Sequence, residues 1–163
     1  MKKIGIFYGS TTGTTEKIAN KIAEILNIDD KDVHDVASSS PSSLAPYDLI
    51  VVGTSTWGNG DLQEDWYDFV DGVRALDLKG KTIALFGCGD ETMTESFCSA
   101  VGKLYRDFKE TGAEFVGAYD TDGYNFNHSD AVVDGKAVGL LLDEVNHPEL
   151  TDFRLRGWIG EIM

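Results

Sequence analysis

The sequence predicts an α/β fold: a five-stranded parallel sheet with helices on both faces and a loop inserted in the last strand. Three observations carry that reading. Short apolar runs alternate with amphipathic stretches along the chain, the pattern of parallel strands joined by right-handed crossovers. The runs Leu49–Gly53 and Thr82–Phe86 are continuously apolar rather than alternating, as strands covered on both faces are. The chain has 163 residues, enough for about one domain with one core. Five strands suit either doubly wound order, and 2-1-3-4-5 fits this length.

The elements follow in order. Lys3–Tyr8 is rich in strand formers and ends in Gly9-Ser10. Thr15–Leu26 carries Ile18, Ala19, Ile22, Ala23, Ile25 and Leu26 at helical spacing. Val33–Val36 is a short strand, and Ser38–Ser43 with Pro41 is a turn-rich connection. Leu49–Gly53 is the third strand. Gln63–Leu76 is a helix with Trp66, Phe69, Val70 and Val73 on one face. Thr82–Phe86 is the fourth strand, and Phe97–Lys109 is a helix carrying Val101, Leu104, Tyr105 and Phe108. Phe115–Tyr119 opens the last strand. Asp120–Lys136 is polar and too long for an ordinary connection, so it is the inserted loop, and the strand resumes at Val138. Leu150–Met163 closes the chain as a helix. No second domain, repeat or low-complexity tract interrupts residues 1–163, which therefore read as a single domain.

The charge balance narrows the partners. The formal net charge is −14, from 28 acidic and 14 basic residues. Such a surface repels nucleic acid and anionic membranes and favours basic protein faces. From Asp32 to Val73 there are eight acidic residues and no Lys or Arg. The N-terminus is too short in its apolar part for a signal peptide, and no run reaches the roughly 20 apolar residues of a membrane helix, so a cytoplasmic protein is expected.

In an open parallel sheet, ligands bind beyond the C-terminal strand ends. Three loops leave those ends here. Gly9-Ser-Thr-Thr-Gly-Thr-Thr15 offers five hydroxyls, two glycines and no basic residue at a helix start, where backbone N–H groups converge on an anion. It lacks the spacing and the Lys of a P-loop, and it is not GxGxxG. Thr54–Leu62 places Trp57 among turn residues, where a flat apolar ligand would give it a stacking partner. Its Gly58-Asn59-Gly60 permits positive φ at three successive residues. Gly87–Ser96 brings Gly89, which lets backbone approach a ligand closely, and Asp90, which can accept or orient. Together the three loops point to a phosphorylated flat ligand. A phosphorelay receiver, which shares the strand order, needs an acidic pair after the first strand, and Gly9-Ser10 stands there instead.

These residues resemble the flavodoxins, in particular their long-chain group. The resemblance rests on Ser10-x-Thr12-Gly13-x-Thr15, on Thr56-Trp57 followed by Gly60-Asp61-Leu62-Gln63-x-Asp65-Trp66, and on Gly87-x-Gly89-Asp90. It continues through Thr121-Asp122-Gly123-Tyr124-x-Phe126 and the insertion to Trp158. What it implies is a flavodoxin-like three-layer sandwich and a low-potential one-electron carrier that binds FMN non-covalently and works through the semiquinone/hydroquinone couple. The alternative is an FMN-dependent quinone or nitro reductase on the same fold. Phosphate would sit on Ser10, Thr11, Thr12, Gly13, Thr14 and Thr15. Trp57 would stack on the ring, and the backbones of Thr56, Gly58, Asn59, Gly60, Cys88, Gly89 and Asp90 would meet its polar edge. Ser55, Phe97 and Cys98 complete the cofactor-binding set. Many family members carry a Tyr over the second ring face; here Met93 falls at that place, and a thioether can cover an aromatic face. The Gly58–Asn59 peptide is the place where a carbonyl would turn toward the ring. Partners would be basic-faced reductases and acceptors met transiently by a monomer.

The remaining conspicuous residues read as structural. Cys88 and Cys98 are packed, reduced thiols. His34, His128 and His147 are scattered without ligand spacing, and Asp120-x-Asp122 lacks the glycine a calcium loop needs. Trp66 and Trp158 belong to helical apolar faces.

Overall fold

The computed structural model describes residues 2–163. The chain runs β1 (Ile4–Gly9), α1 (Thr14–Leu26), β2 (Val33–Asp35), β3 (Leu49–Trp57), β4 (Asp61–Leu62), α2 (Asp65–Val73), β5 (Thr82–Cys88), α3 (Ser99–Lys109), β6 (Glu114–Val116), β7 (Val132–Val133), β8 (Lys136–Ala137), β9 (Leu140–Leu142) and α4 (Pro148–Ile162). The main sheet is ordered β2-β1-β3-β5-β6, all parallel, and β9 also pairs with β5. β6 pairs with the first half of β5 (Thr82↔Glu114) and β9 with its second half (Phe86↔Leu140). They are therefore two halves of one strand position, and the insertion leaves and rejoins the sheet between them. Within the insertion β7 and β8 form a small antiparallel pair, and Tyr119 bridges to Ala137.

Two apolar cores explain why the strands show no alternation. On one face Phe7, Ile50, Val52, Ile83 and Leu85 pack with Trp66 and Phe69 of α2 and Leu104 and Phe108 of α3. On the other, Ile6, Val51, Phe86 and Leu140 pack with Ile18 and Ile22 of α1 and Leu155 and Trp158 of α4. Successive strand residues thus serve opposite layers, and both layers are apolar. Trp66 and Trp158 are fully buried, as their helical faces require. Among the described residues no helix is long and apolar enough to cross a membrane.

Element ends depart from the periodicity for local reasons. β3 and β5 continue past Gly53 and Phe86, because their backbones go on pairing through Thr54↔Gly87 and Ser55↔Cys88 where the side chains are already small or polar. α2 begins at Asp65 rather than Gln63: the Gln63 N–H donates to Thr54 Oγ1 at 3.2 Å and its side-chain oxygen accepts from the Asp65 N–H at 3.1 Å. α3 starts only at Ser99, because Cys98 is left-handed at φ 51°. β6 stops at Val116, where Gly117 turns to φ 85° and its carbonyl accepts the Trp158 indole N–H at 2.9 Å.

That indole both fills a layer and ends a strand. Trp158→Ala should destabilise the fold by about 3–5 kcal/mol through cavity and lost packing. Urea unfolding measures the loss, and an unchanged midpoint would contradict the packing described.

Candidate functional site

The C-terminal edge of the sheet carries a cleft lined by Thr12, Thr14, Ser55, Thr56, Trp57, Cys88, Gly89, Asp90, Glu144 and Val145. It holds about 230 Å³. A larger hollow, of about 620 Å³, opens at the opposite sheet end around Lys3, Asn27 and Met163. The strand-end rule and the arriving loops single out the smaller one.

Its first wall is the start of α1. Gly13 precedes the helix at φ 93°, a conformation that side chains resist, and no side chain caps the helix. The first helical N–H groups therefore face outward without a side-chain partner. The Gly13 N–H donates to Ser10 Oγ at 3.1 Å, which holds the loop around this point. Thr15 is completely buried, yet its Oγ1 makes no hydrogen bond. The Cys88 thiol lies near it, but sulfur is a weak partner. A buried hydroxyl left without a firm partner costs about 1–3 kcal/mol, and here it sits at the open end of a helix dipole. Glu16, in the same turn, is drawn aside: its carboxylate accepts from the Tyr8 hydroxyl at 2.9 Å, and burial, then that carboxylate, keep the phenol protonated. The arrangement suits an anion held by neutral donors.

The second wall is a β-hairpin. Trp57 ends β3 instead of lying in a loop, and Trp57 pairs antiparallel with Asp61 of β4. Its side chain is 42% exposed, and its indole N–H donates to Ser55 Oγ at 2.9 Å. The connecting turn closes with the Gly60 N–H on the Trp57 carbonyl at 3.1 Å. Positive φ occurs at Gly58 (53°) and Gly60 (107°) but not at Asn59, so two of the three anticipated residues use that freedom. The Thr56 hydroxyl accepts the Ala100 N–H at 3.3 Å and ties the hairpin to α3.

The third wall joins the end of β5 to the segment after β9. Asp90 Oδ1 accepts from the Thr92 hydroxyl and N–H and from Asn146 Nδ2, which together hold its carboxyl below the usual carboxylate range. Cys88 and Cys98 are free and buried; burial pushes the Cys88 thiol up to about 12 and raises Cys98 well above the ordinary thiol value. Neither is a thiolate nucleophile.

The comparisons bear on this geometry. The sequence model described as Flavodoxin matches residues 6–158. The chain is 46% identical to Flavodoxin 1 of Azotobacter vinelandii, covering 98% of this chain and 95% of that protein. It is 44% identical to Flavodoxin 1 of Escherichia coli, over 97% of this chain and 91% of that protein. The crystal structure of Fusobacterium nucleatum flavodoxin bound to flavin mononucleotide superposes with a TM-score of 0.91 at 33% identity, covering 99% of this chain and 97% of that one.

The chain belongs to the flavodoxin family. Against that membership the individual residues sort clearly. Thr12, Thr14, Ser55, Thr56, Trp57, Cys88, Gly89 and Asp90 come together as the cleft. Ser10, Gly13 and Thr15 belong to the same loop and helix start as Thr12 and Thr14 without lining the cleft, while the Thr11 hydroxyl accepts from Gln63 Nε2 at 3.1 Å. Gly58, Asn59 and Gly60 form the hairpin tip.

Three of the expected residues lie away from the cleft lining. Phe97 is 1% exposed and packs against Tyr124 and Phe126 beneath the insertion, so its ring belongs to the core. Cys98 is buried behind Gly89, where a Cβ on that glycine would meet its sulfur at 2.9 Å. Met93 is exposed at a turn and does not line the cleft. Glu144 and Val145 do line it, and sequence reasoning missed them. The signal was available: the segment after the last strand also leaves a C-terminal strand end, and Val145 is an apolar residue standing alone between polar ones, 69% exposed.

The orphaned hydroxyl gives a ligand-free test. Thr15→Val removes a buried group whose nearest partner is a thiol, so the ligand-free protein should melt no lower than the parent. A loss above about 1 kcal/mol in thermal unfolding would mean that the hydroxyl has an internal partner.

Proposed function

We propose that this chain is a one-electron carrier that binds FMN non-covalently in the cleft, in the manner of the long-chain flavodoxins. The observation that carries the reading is the buried, unpartnered Thr15 hydroxyl beneath an uncapped helix N-terminus, with an exposed indole on the neighbouring hairpin. A phosphate at one end and an apolar ring at the other match that pair of features. FMN supplies the redox chemistry when bound; the protein supplies position and electrostatics.

The chain's own residues divide the work. Thr15, Thr12, Thr14 and the first N–H groups of α1 hold the phosphate without a cation. Lys17, the nearest basic residue in sequence, is turned to Glu144 at 3.5 Å. Trp57 covers one face of the ring, and Val145 rather than Met93 covers the other. The backbone at Gly58–Asn59 and at Gly89 meets its polar edge. Asp90 stays ionised beside it, and Glu144 and Asp61 add negative charge nearby. Fixed negative charge disfavours added electrons on the ring and pulls the potential down. The acidic surface around the exposed edge steers basic faces of reductases and acceptors into brief encounters, each met by a single copy of this chain in the cytoplasm.

The purified protein should be yellow, with the absorption bands of bound flavin; a colourless protein that takes up no added FMN would refute the reading. Thr15→Val should weaken FMN more than riboflavin, because only FMN has the phosphate, and titration calorimetry with both ligands measures the difference. Trp57→Ala should weaken both ligands by about 1 kcal/mol or more and restore flavin fluorescence that stacking quenches. Electron transfer to a basic partner should slow as salt rises, since screening sets in over a Debye length of about 8 Å at physiological ionic strength. A rate independent of salt would remove the acidic surface from the partner encounter.

A further inference from the structure

Behind the third wall lies a buried charged group that the reading above leaves without a role. Glu91 is 4% exposed, and its own N–H donates to Asp143 Oδ2 at 3.1 Å. Its Oε2 accepts the Asn125 N–H of the insertion at 3.1 Å and lies 3.6 Å from His147 Nε2. Its Oε1 makes no hydrogen bond and stands 3.9 Å from Arg154 Nη1. The Arg154 guanidinium is itself buried and stacks on Tyr124 at 3.8 Å. Asp143 completes the group, accepting from the N–H groups of Val145 and Asn146.

A divalent cation is the first chemistry to weigh, because Glu91, Asp143 and His147 offer ligand atoms within 4.8 Å of one another. The donors argue against it. Each Asp143 oxygen already accepts two hydrogen bonds, the second pair being the Glu91 N–H and Asn146 Nδ2 on Oδ2. The one free carboxylate oxygen faces a guanidinium. The group is therefore held by its own hydrogen bonds and by the Arg154 guanidinium opposite Glu91, with Glu149 flanking His147 at 3.4 Å from the solvent side.

A buried ion pair is a poor way to gain stability, since desolvation offsets most of the attraction. What this one does is geometric. Glu91 follows Asp90 directly, and His147 follows Val145 by two residues, so their contact at 3.6 Å brings together the two loops that carry Asp90 and Val145. Three further links run alongside it: the Gly89 N–H on the Leu142 carbonyl at 2.9 Å, the Glu91 N–H on Asp143, and Asn146 bridging Asp90 and Asp143. We propose that Glu91 and His147 are positioning residues that hold the ring end of the cleft at its working width, and that the insertion joins the site through Asn125. This rests on the FMN reading above.

The test uses the full chain with FMN and riboflavin. Glu91→Gln keeps an acceptor for Asn125 but removes the charge facing His147 and Arg154; His147→Gln changes a half-exposed side chain and leaves Arg154 paired. Each should raise the Kd for both flavins by the same factor, about tenfold, because the ring end is common to both. The double variant should bind no worse than the weaker single one. Circular dichroism and melting of the ligand-free variants report folding separately, and His147→Gln keeps the test open should Glu91→Gln not fold. Affinities within twofold of the parent, losses that multiply, or a loss for FMN alone would each overturn the proposal, as would lowered melting with unchanged affinity. A parent chain that binds neither flavin would overturn the reading of the cleft itself.

Discussion

Seven consecutive residue pairs join β3 to β5, from Leu49↔Thr82 to Ser55↔Cys88, and the rest of the molecule is hung on that register. A shift by one residue would exchange the faces of every side chain on a strand. It would carry Ile50 and Val52 into the layer built for Val51, and take Ser55 and Cys88 away from each other. Both faces are apolar, so hydrophobicity alone would not forbid such a slip. The sizes of the packing partners decide. Gly53 lies under the Phe86 ring, where an added Cβ would meet ring carbons at 2.0 Å. With the register set, Ser55 and Cys88 stand level at the end of the pairing, and β3 runs two residues further to carry Trp57 over the cleft.

The anion end of the cleft solves a problem posed by the rest of the surface. The chain carries a formal charge of −14, and an incoming phosphate adds more of the same sign. A lysine would be the simple counterweight, but it would also cancel the negative surroundings that tune the ring. Hydroxyls and helix N–H groups separate the two effects. On the proposed reading they act only at hydrogen-bond distance, so they would hold a phosphate locally without placing a net positive charge near the ring. Thr15 illustrates the cost: its hydroxyl is buried without a hydrogen-bond partner among the described residues.

Much of this was legible in the sequence because helix and strand periodicities are local. The Thr15–Leu26 stripe, the twin apolar runs of the central strands and the two buried tryptophans all stand where pattern placed them. That Thr12, Thr14 and Trp57 meet at one cleft was legible from composition at the C-terminal sheet edge. What periodicity could not show were ends set by partners. β3 and β5 outrun their apolar residues because backbone pairing continues, and α3 starts late because Cys98 takes a left-handed conformation. Nor could spacing show the meeting of Glu91 with Asp143 and His147, which needs the insertion crossed and the strand resumed. Val145 was overlooked because a single exposed apolar side chain is ordinary until its loop is placed beside another.

The divided strand has a consequence for the free edges of the sheet. A long, regular outer strand presents unpaired N–H and C=O groups to any passing chain and invites strand addition. Here the outer position beside β5 is split into β6 and β9, each three residues long, with the insertion leaving between them. The opposite edge, β2, is also three residues long and carries His34 and Asp35. The insertion thus works as an interruption as well as a covering: it cuts the one edge that could have matched β5 in length into two pieces, each too short to template a neighbour.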